Sequence, residues 1–175
     1  MKNILVIFMM FFQFNSYGAE STVAYWKNQE LTATVGQTWI KQGEVAMYLH
    51  LIIEYSTGSK CNDAFVSVLT SKDPKKGKFI SKDTKSSSGK GNVLNFIIKN
   101  QKFEYESNQT LRAIYDNGVE FATMPSQNLI KTIKDNDGEI EVRLGETPLV
   151  KFSKTYGAPE AFNLAKENCI KSLSK

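Results

Sequence analysis

Alternating apolar and polar residues predict a chain built mostly of β-strands. The strongest alternation runs from Val45 to Tyr55, and both of its faces are largely apolar. Such a strand is typical of the middle of a sheet, where both faces are covered. Turn residues at 56–59 and the alternating segment Cys61–Thr70 come next. We therefore expect a hairpin from Val45 to Thr70.

Shorter patterns predict further strands before and after this hairpin. Asn117 and Gly118 tolerate the positive φ of a tight turn, so 110–124 is predicted to form a second hairpin. The segment Glu139–Leu144 alternates strictly, which predicts that Glu139 and Glu141 lie on a solvent-exposed face. The other segments with a strand pattern are 22–27, 31–35, 38–40, 93–98, 103–105 and 150–152.

Two later segments have helical spacing instead. Ser126 is suited to cap a short helix that ends near Lys134. A second helix is predicted over 158–173, with an apolar stripe made of Ala158, Phe162, Ala165, Cys169 and Leu173. Together the patterns predict a mainly β fold, an antiparallel β-sandwich or curved sheet with the short helix and the C-terminal helix packed at one edge.

Residues 1–19 have the layout of a secretory signal peptide. The basic start Met1–Asn3 precedes the apolar run Ile4–Phe12, and small or polar residues follow as far as Ala19. The run is shorter than the roughly 20 residues needed to span a bilayer. We expect cleavage after Gly18 or Ala19 and no transmembrane segment in the mature chain, and an uncleaved membrane anchor is the alternative. We therefore expect a periplasmic or secreted protein with one β-rich domain over 20–175.

Export favours a disulfide between the two cysteines. Cys61 and Cys169 are the only cysteines in the sequence, and oxidising compartments promote their pairing. The bridge would close a long loop, which the loop-entropy argument values at about 4–5 kcal/mol. Two buried free thiols are the alternative. A metal site is not expected, since His50 is the only histidine.

The distribution of charge supplies the candidate binding residues. The net charge is +4, and only two of the 22 basic residues are arginine, so nucleic-acid binding is not expected. The segment 71–91 is rich in lysine and serine, which predicts an exposed loop. It either contacts another protein or an anionic surface, or it is a solvated loop without a partner. Its candidate binding residues are Lys72, Lys75, Lys76, Lys78, Lys82 and Lys85.

The sequence contains no motif for catalysis or for a cofactor. His50 lies within a strand, where a structural role is the more common one. Glycosidase chemistry would need two carboxylates across a cleft, and the candidates are Glu54, Asp63, Asp116, Glu120, Glu139 and Glu141. We therefore expect a non-enzymatic binding module without a cofactor. The alternatives are an inhibitor or immunity protein against an exported enzyme or toxin, and an enzyme with a cryptic site.

The order of elements in the second half of the chain is also informative. The predicted strand 111–118 contains an aspartate, a helix follows near 128–130, a strand follows Gly138, and 150–153 leads into the last helix. This order resembles the invasion-associated locus B family of exported bacterial proteins. The resemblance implies a periplasmic, virulence-associated β-sandwich, and the family has no catalytic residues to carry over.

Overall fold

The computed structural model consists of two β-sheets and two α-helices. It describes residues 22–41, 44–71, 83–85, 93–106, 110–115, 118–125 and 127–174. The predicted signal peptide lies outside these ranges. Within them, no helix combines the length and the apolar character needed to cross a membrane.

The first sheet contains five strands: β1 (Thr22–Tyr25), β7 (Leu94–Ile98), β8 (Gln101–Tyr105), β11 (Ile140–Leu144) and β12 (Thr147–Tyr156). Their spatial order is β1–β12–β11–β7–β8. Neighbours are antiparallel except for β1, which runs parallel to β12. This pair departs from the antiparallel prediction. Parallel pairing needs a long connection, and the chain between β1 and β12 provides one.

The second sheet contains seven strands: β2 (Lys27–Gln29), β3 (Thr32–Lys41), β4 (Glu44–Tyr55), β5 (Ala64–Ser71), β6 (Asp83–Lys85), β9 (Thr110–Tyr115) and β10 (Gly118–Thr123). Their order is β2–β3–β4–β5–β10–β9–β6. Both predicted hairpins are confirmed, because β4 pairs with β5 and β9 pairs with β10.

Alternate side chains of the two sheets meet in one core. This arrangement confirms the β-sandwich, since residues of both sheets belong to a single buried apolar cluster. Members that are fully buried include Leu51, Ile53, Val66, Phe96, Ile98, Ile140, Val142 and Phe152.

Strand β4 has the predicted central position, between β3 and β5. The prediction that both of its faces are covered is wrong. Leu51 and Ile53 face the core, whereas His50 and Ile52 on the other face are half-buried and Glu54 is exposed. The difference arises because the five-stranded sheet packs against only one face of β4.

The two helices are α1 (Gln127–Lys134) and α2 (Ala158–Ser172). Helix α2 packs on β2, β3 and β4, and α1 packs on α2, which confirms a C-terminal helix at one edge of a sheet. Four residues of the predicted stripe are buried, but Leu173 is 46% exposed. Leu173 follows the last helical residue, so it lies past the surface that the sheet covers.

The predicted disulfide is confirmed. Cys61 and Cys169 are bonded, with Cα atoms 6.0 Å apart, and neither residue is exposed. The bond joins α2 to the turn before β5. In that turn Lys60 and Cys61 have φ of 53° and 63°, and the Cys61 N–H donates to the Ser56 carbonyl oxygen at 2.9 Å. The backbone and the disulfide therefore hold this turn together.

Candidate functional site

The predicted cationic loop falls almost entirely outside the described residues. This is the case for Lys72, Lys75, Lys76, Lys78 and Lys82, while Lys85 is the last residue of β6. Asp116 and Asn117, at the predicted hairpin tip, also lie outside the described ranges. The role of the cationic loop stays a prediction.

His50 lies on the outer face of β4, opposite Gly36 of β3. A Cβ atom added to Gly36 would come within 2.9 Å of the His50 Nδ1, so the imidazole rests on the glycine backbone. Burial lowers the pKa of His50, which leaves the ring neutral at pH 7. A neutral ring packed on glycine is consistent with the structural role favoured from the sequence.

Two of the candidate carboxylates, Glu54 and Glu120, lie on the same face of the seven-stranded sheet. The pKa of Glu54 is raised, first by burial and second by the negative charge of Glu120. Neither carboxylate belongs to a metal-binding cluster, because no group of three or more His, Cys, Asp or Glu side chains among the described residues could hold a metal ion.

Glu139 and Glu141 were both expected on a solvent-exposed face, but only Glu139 is exposed. Glu139 has a side chain that is 51% exposed, and the Lys151 Nζ lies 3.0 Å from its Oε1. The prediction is wrong for Glu141, whose side chain is only 7% exposed. Arg143 Nε donates to Glu141 Oε1 at 2.6 Å, and Lys151 Nζ lies 3.8 Å from Glu141 Oε2. The long stems of these two basic side chains cover the carboxylate.

This ion network leaves few charges available to a partner. The hydrogen bond to Glu141 raises the pKa of Arg143, and the hydrogen bond to Glu139 raises the pKa of Lys151. Each cation is therefore already matched with an acid on the same strand or the next one. The positive and negative charges at the centre of the outer face of the five-stranded sheet therefore compensate one another.

A different surface lies at the margin of the same sheet, where β1 pairs with β12. Val23 and Tyr25 are 56% and 64% exposed. They lie in register with Lys154 and Tyr156, respectively. We call these four residues, Val23, Tyr25, Lys154 and Tyr156, the tyrosine edge.

A β-bulge places two members of the tyrosine edge on this face. Between the first two register pairs β1 advances by one residue, while β12 advances by two, from Phe152 to Lys154. The extra residue shifts the alternation of β12. Phe152 and Thr155 are consequently buried, whereas Lys154 is exposed and Tyr156 half-buried.

The side chains of the tyrosine edge contact one another. The Tyr25 and Tyr156 rings stack with centroids 5.5 Å apart, at an angle of 26°. The Lys154 Nζ lies 4.8 Å from the centroid of the Tyr156 ring. A hydrogen bond to Tyr156, with a smaller effect of the Asp137 charge, raises the pKa of Lys154. The edge thus presents two ordered rings and one cation to solvent.

Two shallow depressions lie elsewhere on the molecule. One, of about 230 Å³, is bordered by Asn62, Asp63, Gln127 and Lys166. The other, of about 210 Å³, is bordered by Lys99, Lys131 and Asp135. Both are smaller than the roughly 300–1,000 Å³ of ordinary small-molecule sites. The tyrosine edge is therefore the best candidate for a functional surface.

Sequence reasoning placed Val23 and Tyr25 in a strand but missed their exposure. One signal was present, because 22–26 contains no charged residue on either face. A charged or polar outer face is the usual sign of a strand that faces solvent. A strand without charged residues is also typical of a buried position, so the sequence could not show that Val23 and Tyr25 are exposed.

The comparisons with known proteins add no relative: no protein-family model matches this chain, and no curated protein or solved structure is significantly similar to it. The resemblance to the invasion-associated locus B family stays a prediction.

Proposed function

We propose that this chain is an exported, non-enzymatic binding module that recognises a polypeptide through the tyrosine edge. The observation that carries the proposal is the stacking of exposed Tyr25 on half-buried Tyr156, with Lys154 beside them. Tyrosines are enriched in protein interfaces and among the residues that dominate binding energy. Stacking orders the two rings before a partner arrives, which lowers the entropy lost on binding.

Export is supported by two independent features. The predicted signal peptide directs the chain out of the cytoplasm. The buried disulfide between Cys61 and Cys169 is of the kind that persists in oxidising compartments. A periplasmic or secreted binding module is consistent with both.

Site-specific photo-crosslinking in cells tests the proposal. A photo-reactive phenylalanine analogue replaces Tyr25, and in a second variant it replaces Leu164, which is 42% exposed on α2. We expect a discrete protein adduct from position 25 and none of the same mass from position 164. Adding Tyr156→Ala to the position 25 variant should abolish the adduct, because the stacked pair is lost.

Two results would contradict the proposal. One is an identical set of adducts from both positions, which would indicate random collisions. The other is a discrete adduct at position 25 that survives Tyr156→Ala and Lys154→Ala together. Circular dichroism of each variant checks that the fold is retained, which we expect because these side chains lie at the surface.

A further inference from the structure

We propose that the depression bordered by Asn62, Asp63, Gln127 and Lys166 binds a free α-amino acid with an apolar side chain. We call it the clasp depression, because Asn62 directly follows the disulfide-bonded Cys61. It shares no residue with the tyrosine edge, so this inference goes beyond the proposed function and can fail without it. Four properties carry the inference: the size of the depression, its two opposite charges, its apolar wall, and the bonds that fix its backbone.

The size of the clasp depression suits one amino acid. Its volume is about 230 Å³, whereas a cavity of about 150 Å³ holds benzene. At the same volume per atom, the clasp depression takes a ligand of about nine heavy atoms. Leucine, isoleucine and methionine have this size.

Two opposite charges at the clasp depression match the two charged groups of an amino acid. Asp63 lies directly before β5 and Lys166 lies on α2, and both side chains are exposed. Neither belongs to an ion pair among the described residues. Because both border one small depression, a single ligand can place its ammonium group at the Asp63 carboxylate and its carboxylate at the Lys166 ammonium group.

The apolar wall of the clasp depression matches the side chain of the ligand. Met124 is 58% exposed, and it borders the depression together with Pro125 and Ile130. A methionine adapts to ligands of different shape, because its side chain is flexible and its sulfur is polarisable. Contact with this wall removes apolar ligand surface from water, which favours binding, whereas a charged ligand side chain would lose hydration there.

Hydrogen bonds and the disulfide fix the backbone that carries these groups. The Asp63 N–H donates to the Ser59 Oγ at 3.0 Å, and the Asp63 carbonyl oxygen accepts from the Ser56 N–H at 3.0 Å. The Gln127 Nε2 donates to the Asn62 carbonyl oxygen at 3.4 Å, which joins the turn to α1. The disulfide joins the same turn to α2. A site that is ordered before its ligand arrives loses less entropy on binding.

The other depression does not have these properties. None of the described residues that border it is apolar. The Lys99 Nζ, which lies at that depression, donates to the carbonyl oxygen of Asp135 at 3.1 Å, so one of its cations is already engaged. The clasp depression is therefore the better candidate for a small ligand.

Titration of the mature protein with leucine, isoleucine and methionine, followed by NMR chemical shifts, tests the binding. We expect saturable shifts with dissociation constants between about 10 µM and 1 mM, as for a small ligand in an open site. The largest shifts should occur at the amides of Asn62, Asp63 and Lys166. Aspartate and glycine should bind at least about tenfold more weakly, because they lack the apolar side chain. The absence of saturable shifts for all three apolar amino acids up to about 10 mM would overturn the proposal.

Two analogues of leucine test each charge separately. N-acetylleucine lacks the ammonium group and leucinamide lacks the carboxylate, so each should bind at least about tenfold more weakly than leucine. In Asp63→Asn, the difference between leucine and N-acetylleucine should disappear, while the difference between leucine and leucinamide remains. Lys166→Gln should show the reverse pattern. Equal losses of affinity for leucine and N-acetylleucine in Asp63→Asn would overturn the proposal, because Asp63 would then not hold the ammonium group.

Glu167→Gln and Lys171→Gln are the matched controls. Both residues are exposed on α2, and neither borders the clasp depression. They should leave the affinity for leucine unchanged, and so should Tyr25→Ala. Leucine binding that is lost in Tyr25→Ala but survives Asp63→Asn and Lys166→Gln would assign the ligand to the tyrosine edge and overturn the clasp depression as its site. Circular dichroism of each variant checks that the fold is retained, which we expect because the changed side chains are exposed.

Discussion

Two aromatic pairs, supplied by neighbouring residues of the same strand region, have opposite environments. Trp26 packs edge-to-face on Phe162 with centroids 5.0 Å apart, and both are buried. Tyr25, one residue earlier, stacks on Tyr156 at the surface. We call the first region, which contains Trp26, Phe162 and the disulfide of Cys61 and Cys169, the α2 corner.

An aromatic ring contact contributes most to the stability of a fold when other elements cover it. Both residues of the first pair are buried, so their apolar area contributes to folding. In the second pair Tyr25 is 64% exposed and Tyr156 is half-buried, so part of that area is still available for binding. Changes at the α2 corner should therefore affect stability, and changes at the tyrosine edge should affect binding.

The largest effect is expected from removing the disulfide. Cys61→Ala combined with Cys169→Ala should lower the free energy of unfolding by about 4–5 kcal/mol, because the bond closes a long loop in the unfolded chain. Urea unfolding followed by circular dichroism measures the change, and unaltered protein in reductant is the control. A loss below about 1 kcal/mol would show that the α2 corner is held by packing alone.

Phe162→Ala should lower the free energy of unfolding by about 3–5 kcal/mol. The ring is fully buried, and its removal leaves a cavity beside Trp26. Urea unfolding is again the measurement, and trypsin susceptibility gives an independent estimate. Phe162→Leu is the matched control and should lose less, because it keeps part of the volume. Equal losses for the two variants would contradict the cavity argument.

His50 should make the free energy of unfolding depend on pH. Its folded-state pKa lies below the reference value of 6.5, so the unfolded chain binds a proton first as the pH falls. Stability is therefore lost as the pH drops below 6.5 toward the folded-state value. His50→Gln should make this fall shallower in urea titrations from pH 7 to pH 5.

The pKa of Glu54 is shifted in the opposite direction to that of His50, so Glu54 serves as the control. Its raised pKa means that the folded carboxyl binds a proton before the unfolded one does. Stability consequently rises as the pH falls through the folded-state pKa toward the reference value of 4.5. Glu54→Gln should make the acid-side loss of stability steeper. A change in the same direction for both variants would contradict these assignments.

The smallest effect on stability is expected at the tyrosine edge. Tyr25→Ala should change the free energy of unfolding by no more than about 0.5 kcal/mol, because the side chain is largely exposed. The same variant should lose binding to the partner, so one variant tests both effects. A destabilisation of 2 kcal/mol or more would show that the stacked pair belongs to the structural core.

The sequence predicted the features that depend on local spacing or on one strong chemical preference. Val45–Tyr55 could be identified as a central strand because its alternation is long and apolar. The pairing of Cys61 and Cys169 followed from their number and from predicted export. Helix α2 followed from residues at helical intervals.

The features of the candidate site depend on contacts between distant segments. Residues 22–27 read as one strand, but Trp26 divides them between two sheets because it packs on Phe162. The bulge that exposes Lys154 depends on the register with β1. Glu141 alternates like a solvent-facing residue, but Arg143 and, on the next strand, Lys151 cover it. None of these pairings is visible in the spacing of a single segment.

The pairing of β1 with β12 has a consequence for how the chain folds as it is synthesised from its N-terminal end. Residues 22–25 emerge early, but their neighbour in the sheet is 147–156, so the first strand waits unpaired for most of the chain. The disulfide also joins residues 108 positions apart. Contacts of such long range slow folding. Until residues 147–156 are available, β1 therefore lacks the strand that it pairs with in the folded protein.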